Sequence, residues 1–142
     1  MAKYNYRISD INNDIEMLTK GMRFQLPIDD RERRLYENLM EGGFIGRETR
    51  IEDFCLILGR YLSHEELPFC KIRWMKDLQL FRMFLDVITP NFTTFDRSIL
   101  AKVLFLNKGK QMNYPNRIPK RLETRSSYDT LQNILTEYKE SL

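Results

Sequence analysis

His64 is the only histidine, and Cys55 and Cys70 are the only cysteines. These three residues are where nucleophilic, proton-transfer or metal chemistry would start. Any dyad or triad built on imidazole must use His64, but it lies beside Glu65 and Glu66 and reads as a solvated loop residue. Cys55, His64 and Cys70 follow one another at intervals of 9 and 6 residues. Zinc modules use closely paired cysteines and histidines, so the spacing argues against a metal site. Cys55 falls on the inner face of an expected helix, where a free thiol behaves as a small hydrophobe.

Asn107-Lys108-Gly109-Lys110 has the lysine and glycine of a phosphate loop. That motif also needs glycine at 104, where leucine stands, and serine or threonine at 111, where glutamine stands. Glu52 reads as a capping residue. Asp29, Asp30, Asp77 and Asp96 fall near expected helix starts, where negative charge opposes the helix dipole favourably. No pair of carboxylates stands out for acid–base work. A non-enzymatic protein with no catalytic residue, cofactor or metal is expected.

Charge placement says more. Residues 107–125 hold six basic side chains (Lys108, Lys110, Arg117, Lys120, Arg121 and Arg125) and one acid, Glu123. The first 106 residues carry 16 basic and 16 acidic groups, so the whole positive excess sits in this one stretch. Its cations are interleaved with Asn107, Asn113, Tyr114 and Asn116, a mixture suited to phosphate and polar groove contacts. Trp74, between Lys71, Arg73 and Lys76, offers either a stacking platform or a core anchor, and the core reading is favoured.

Helices must position these groups. Ser9 or Asp10 can cap a first helix closed by Gly21, with Ile11, Ile15 and Leu18 inward. Asp29-Asp30 caps a second, from about 31 to 41, with Leu35, Tyr36, Leu39 and Met40 inward and Gly42-Gly43 as its stop. Thr49 to Glu52 matches a capping box for a third, which buries Ile51, Phe54, Cys55 and Leu58 and stops at Gly59. Residues 60–71 read as a loop, and Ile72-Arg73-Trp74 as a very short strand or an anchor. Leu78, Phe81, Phe84, Leu85 and Ile88 mark the next helix, ended at Thr89-Pro90. Phe95, Ile99, Leu100, Val103 and Leu106 mark another, begun at Thr93 or Thr94. Tyr128, Leu131, Ile134, Leu135 and Tyr138 mark the last.

The fold expected is all-α, a single compact domain of about six helices over residues 1–142. It comprises an N-terminal helical part at 1–60 and a tryptophan-anchored helical part at 71–142. A short β-wing at 107–125 would make the arrangement winged-helix-like. No secretory leader and no apolar run of membrane-spanning length is read, so an intracellular, cytoplasmic, soluble protein without a membrane partner is expected.

The run from Leu35 through Gly43-Phe44-Ile45, Thr49, Asp53-Phe54, Leu58-Gly59, Trp74, Phe81 and Leu85 resembles small proteins carried near mobile genetic elements of gut bacteria. More distantly, residues from Ile72 onward are similar to the C-terminal region of the RteC family of conjugative-transposon excision regulators. There a Lys/Arg-x-Trp anchor precedes two helices, a basic segment and a last helix. The resemblance implies a helical, winged-helix-like bacterial regulator that binds DNA.

The function expected is therefore that of a small regulatory protein bound to double-stranded DNA. Arg97 and Lys102 would approach the groove from the helix at 94–106, while Lys108, Lys110, Arg117, Lys120 and Arg121 contact phosphate. The alternative is a helical module that binds another protein through Met22, Phe24, Met40 or Phe69. A third reading, an enzyme with His64 in a cleft, has least behind it.

Overall fold

Local capping chemistry starts the helices where the sequence places them. The computed structural model describes residues 5–7, 26–58, 60–61, 68–115 and 120–140. Helix α1 (Asp30–Glu41) opens on Asp29. The Asp29 carboxylate accepts the Glu32 N–H at 2.7 Å, and the Glu32 carboxylate accepts the Asp29 N–H at 3.1 Å. The helix closes at Gly43, whose φ of +77° suits glycine. The N–H of Phe44 reaches the Leu39 carbonyl and that of Gly43 the Met40 carbonyl, a Schellman close.

Helix α2 (Ile51–Ile57) begins differently from expectation. Thr49 is buried and donates its hydroxyl to the Gly46 carbonyl at 2.6 Å, within its own tight turn. The carboxylate bound in the first turn is Asp53, held by Nε and Nη2 of Arg50 at 2.9 Å each. A charge-assisted fork thus stands where the threonine–glutamate box was expected. Asp53 is buried, and that burial pushes its carboxyl above the usual range even though Arg50 opposes the shift.

The all-α expectation is overturned. Five α-helices among the described residues share the chain with short strands, and three of these strands form a mixed sheet. Backbone pairing joins β1 (Asn5–Arg7) antiparallel to β4 (Pro68–Cys70), and β2 (Leu26–Pro27) parallel to β3 (Arg60–Tyr61). The stretch read as a loop at 60–71 therefore carries two strands. The three-stranded sheet has order β5-β6-β7, with β5 (Ile72–Trp74) parallel to β6 (Phe105–Asn107) and β6 antiparallel to β7 (Lys110–Gln111). The other edge of β5 is covered by residues 44–46: Ile45 bridges Trp74, and Gly46 N–H donates to the Arg73 carbonyl at 2.9 Å.

Helices α3 (Leu78–Ile88) and α4 (Thr94–Leu104) form the crossover between the two parallel strands. The apolar spacing that carried the expected helix through Leu106 cannot tell a helix end from a buried strand. Phe105 turns extended, and Phe105–Asn107 pairs with Ile72–Trp74. Phe95, expected inward, is 61% exposed in the first turn of α4. That turn is stabilised by a Thr93–Asp96 capping box.

Trp74 is the centre of the core and is fully buried. Its ring lies 5.2 Å from that of Phe84, 5.5 Å from Phe81 and 5.8 Å from Phe44. Phe81 in turn meets Phe105 edge-on at 4.9 Å, so the aromatic cluster joins α3 to both parallel strands. Helix α5 (Tyr128–Glu140) closes the core with Leu131, Ile134 and Leu135. It is tied to α1, where Arg31 lies 4.2 Å over the Tyr138 ring and donates to the Tyr138 carbonyl. The expected helix at 9–21, the Gly59 stop, His64, Arg117, Met22 and Phe24 lie outside the described residues, as do the side chains of Cys55 and Phe69.

Candidate functional site

A two-residue turn at Lys108-Gly109 joins β6 to β7. Both residues have positive φ, +53° and +102°, the combination that matches the twist of a tight hairpin. A side chain at Gly109 would meet nothing within 4 Å, so the turn stands clear of the body. Its base is fixed, because the Lys108 N–H donates to the Trp74 carbonyl at 3.0 Å and continues the β5–β6 ladder. Lys108 and Lys110 are exposed.

The hairpin forms one wall of an open groove of about 450 Å³. Asn107, Lys108 and Lys110 line it from the hairpin, Lys76 to Gln79 from the start of α3, and Arg125 from the approach to α5. Both parallel strands end at this groove, the edge at which sheets with parallel strands commonly hold ligands. Four cations and one carboxylate, Asp77, are among its lining residues.

Asp77 organises the floor. One carboxylate oxygen accepts the Gln79 N–H at 2.7 Å and caps α3; the other accepts Arg125 Nη1 at 2.9 Å. The Asp77 carbonyl accepts the Trp74 indole N–H at 3.0 Å, so the groove rests on the aromatic core. With Arg125 neutralising Asp77, the charge of Lys76, Lys108 and Lys110 is left over. Lys76 Nζ also lies 5.9 Å over the Phe44 ring.

Of the described residues expected to contact nucleic acid, Lys108 and Lys110 alone come together here; Arg117 lies outside the described residues. Arg97 is committed elsewhere. Its Nε donates to Thr89 Oγ1 at 3.0 Å, its Nη2 donates to the Thr89 carbonyl at 2.6 Å, and Asp86 lies 3.6 Å away. Its side chain is only 14% exposed. Lys102 is exposed in the last turn of α4, ahead of the β6 end that carries the hairpin. Lys120 and Arg121 are exposed before the short 3₁₀ turn Leu122–Thr124, outside the groove lining. Lys76 and Arg125 were missed as site residues. Their sequence signals were the cation beside the tryptophan and the last cation of the basic stretch.

A second group of cations is paired within the protein. Asp86 accepts the Tyr114 hydroxyl, and Arg82 lies 3.5 Å from it and over the Tyr114 ring at 5.3 Å. Burial, then the bond to Asp86, holds the Tyr114 phenol protonated above its usual range. Arg82 also donates to the Pro115 carbonyl at 3.0 Å, so this cluster anchors the segment that follows the hairpin. A second groove, of about 420 Å³, is lined by Tyr36, Glu37, Met40, Glu41 and Arg47. Among the described residues, no group of three or more His, Cys, Asp or Glu could hold a metal, and no helix is long and apolar enough to cross a membrane.

No protein-family model, curated protein or solved structure matches the chain.

Proposed function

We propose that this chain is a small, non-enzymatic DNA-binding protein that contacts phosphate through the hairpin groove. The observation that supports the reading is the convergence of Lys76, Lys108, Lys110 and Arg125 on one open groove around a single carboxylate. Clustered lysine and arginine on one face is the electrostatic footprint of phosphate contact. Trp74 and Phe105 are fully buried, and among the described residues the groove is lined by no aromatic side chain, which favours a duplex over a stacked single strand. Duplex DNA is the fitting partner. A regulatory role near a mobile element rests on the resemblance alone.

The test is fluorescence anisotropy of a labelled duplex at two salt concentrations. Micromolar or tighter binding that weakens steeply with salt supports the reading. An absence of binding at low salt overturns it and favours a protein partner. The Met40 groove, lined also by Tyr36, Glu37, Glu41 and Arg47, is where that search would start.

A further inference from the structure

We infer that the groove is a pocket for a terminal phosphate monoester, of the kind carried by a nucleoside monophosphate or a phosphorylated DNA end. The inference rests on the reading of the groove as a phosphate-contacting site and specifies which phosphate it takes. Two features select the ligand. The first is shape: a concavity of about 450 Å³ falls in the size range of small-ligand sites. A nucleotide or the end of a strand is of a size to lie in it.

The second feature is charge. The Asp77 carboxylate faces the groove, but Arg125 is already bonded to it at 2.9 Å. The three lysines remain, and they match a monoester carrying close to two negative charges at neutral pH better than a backbone diester carrying one. Beside them, Asn107, Gln79 and Leu78 complete the lining, a mixture of polar and apolar residues suited to a sugar and base.

Trp74 makes the test direct. It is the only tryptophan, and its indole N–H is bonded to the Asp77 carbonyl under the groove. Tryptophan emission of the full chain is followed during titration with a nucleoside monophosphate, the matching nucleoside and inorganic phosphate. In parallel, duplexes with and without terminal phosphates compete for the protein in the anisotropy assay.

The expected result is saturable binding of the monophosphate and not of the nucleoside. Affinity should weaken about tenfold or more in K108A/K110A, whose exposed side chains leave the fold intact. Terminally phosphorylated duplex should outcompete the unphosphorylated one. Inorganic phosphate binding as tightly as the nucleotide overturns the monoester assignment; preference for the phosphorylated duplex over the nucleotide assigns a strand end as the source. Salt-sensitive duplex binding that ignores terminal phosphates and monophosphates overturns this inference and leaves the DNA reading standing. Absence of both kinds of binding removes both.

Discussion

Arg82 and Arg97 converge on Asp86, whereas Lys108 and Lys110 line an open groove from the β6–β7 hairpin. The two regions draw on the same residue classes and lie on the same crossover unit. In the first, the carboxylate, the Thr89 oxygens and the Pro115 carbonyl occupy the guanidinium donors. In the second, one carboxylate faces four cations. A cation surrounded by protein acceptors supports the fold; a cation left facing solvent beside others of its sign is available to a ligand. Charge counted along the chain does not separate these cases. Partners in space do.

Reversing the hairpin charges should produce the largest effect. K108E/K110E is expected to weaken duplex binding about a hundredfold at low salt and to lower the slope of affinity against salt by about two, with an unchanged melting temperature. Anisotropy and thermal melts read these out. Loss of stability without loss of affinity would place the lysines with the paired cluster.

R97A should behave in the opposite way. Removing this mostly buried side chain strips donors from Thr89 and Asp86, at a cost of about 2 kcal/mol in urea denaturation. Its salt slope should match the wild type; a reduced slope would return Arg97 to the interface. T93A removes the cap of α4 and should cost about 1 kcal/mol without altering DNA affinity.

K120E/R121E sharpens the boundary of the site. Both residues are exposed and outside the groove lining, so a loss of only about threefold to fivefold is expected in the same binding assay. A loss equal to that of the hairpin variant would extend the interface to the 3₁₀ turn.

The smallest effect is a pH dependence at Asp53. Burial raises its carboxyl above the unfolded value, so the folded state binds this proton more tightly. The resulting stabilisation is complete below the unfolded pKa of about 4 and is lost as pH rises through the raised folded value. Urea midpoints of the wild type relative to D53N should therefore fall as pH rises through that window and level off above it. A difference that grows with pH would mean that the Arg50 fork outweighs burial.

Much of the helical framework was legible because its signals are local. The Asp29 cap, the Thr93 cap and Gly43 after Met40 each act within about one helical turn, and each sits where the sequence suggested; the reciprocal bonds from Glu32 and Asp96 complete the two caps. The inward stripe of α3 was readable for the same reason: Phe81, Phe84, Leu85 and Ile88 are buried. The sheet was not. Leu106 extends the helical spacing of α4, and only its pairing opposite Arg73, far along the chain, makes it a strand residue. The site was half legible. Lys108 and Lys110 stood out by charge, but Lys76 and Arg125 join them only through the β5–β6 pairing and the Asp77 bridge.

The sequence by itself determined where the described helices start, the glycine stop of α1, most of the inward-facing apolar residues and the segment that holds the excess charge, because these depend on neighbours within a few residues. Tertiary structure decided that residues 72–74 and 105–107 would be parallel partners, that Arg97 would turn inward, and that two lysines from a hairpin would face one beside the tryptophan. Those outcomes depend on which distant groups reach hydrogen-bonding distance once Trp74 is buried. No local spacing carries that information.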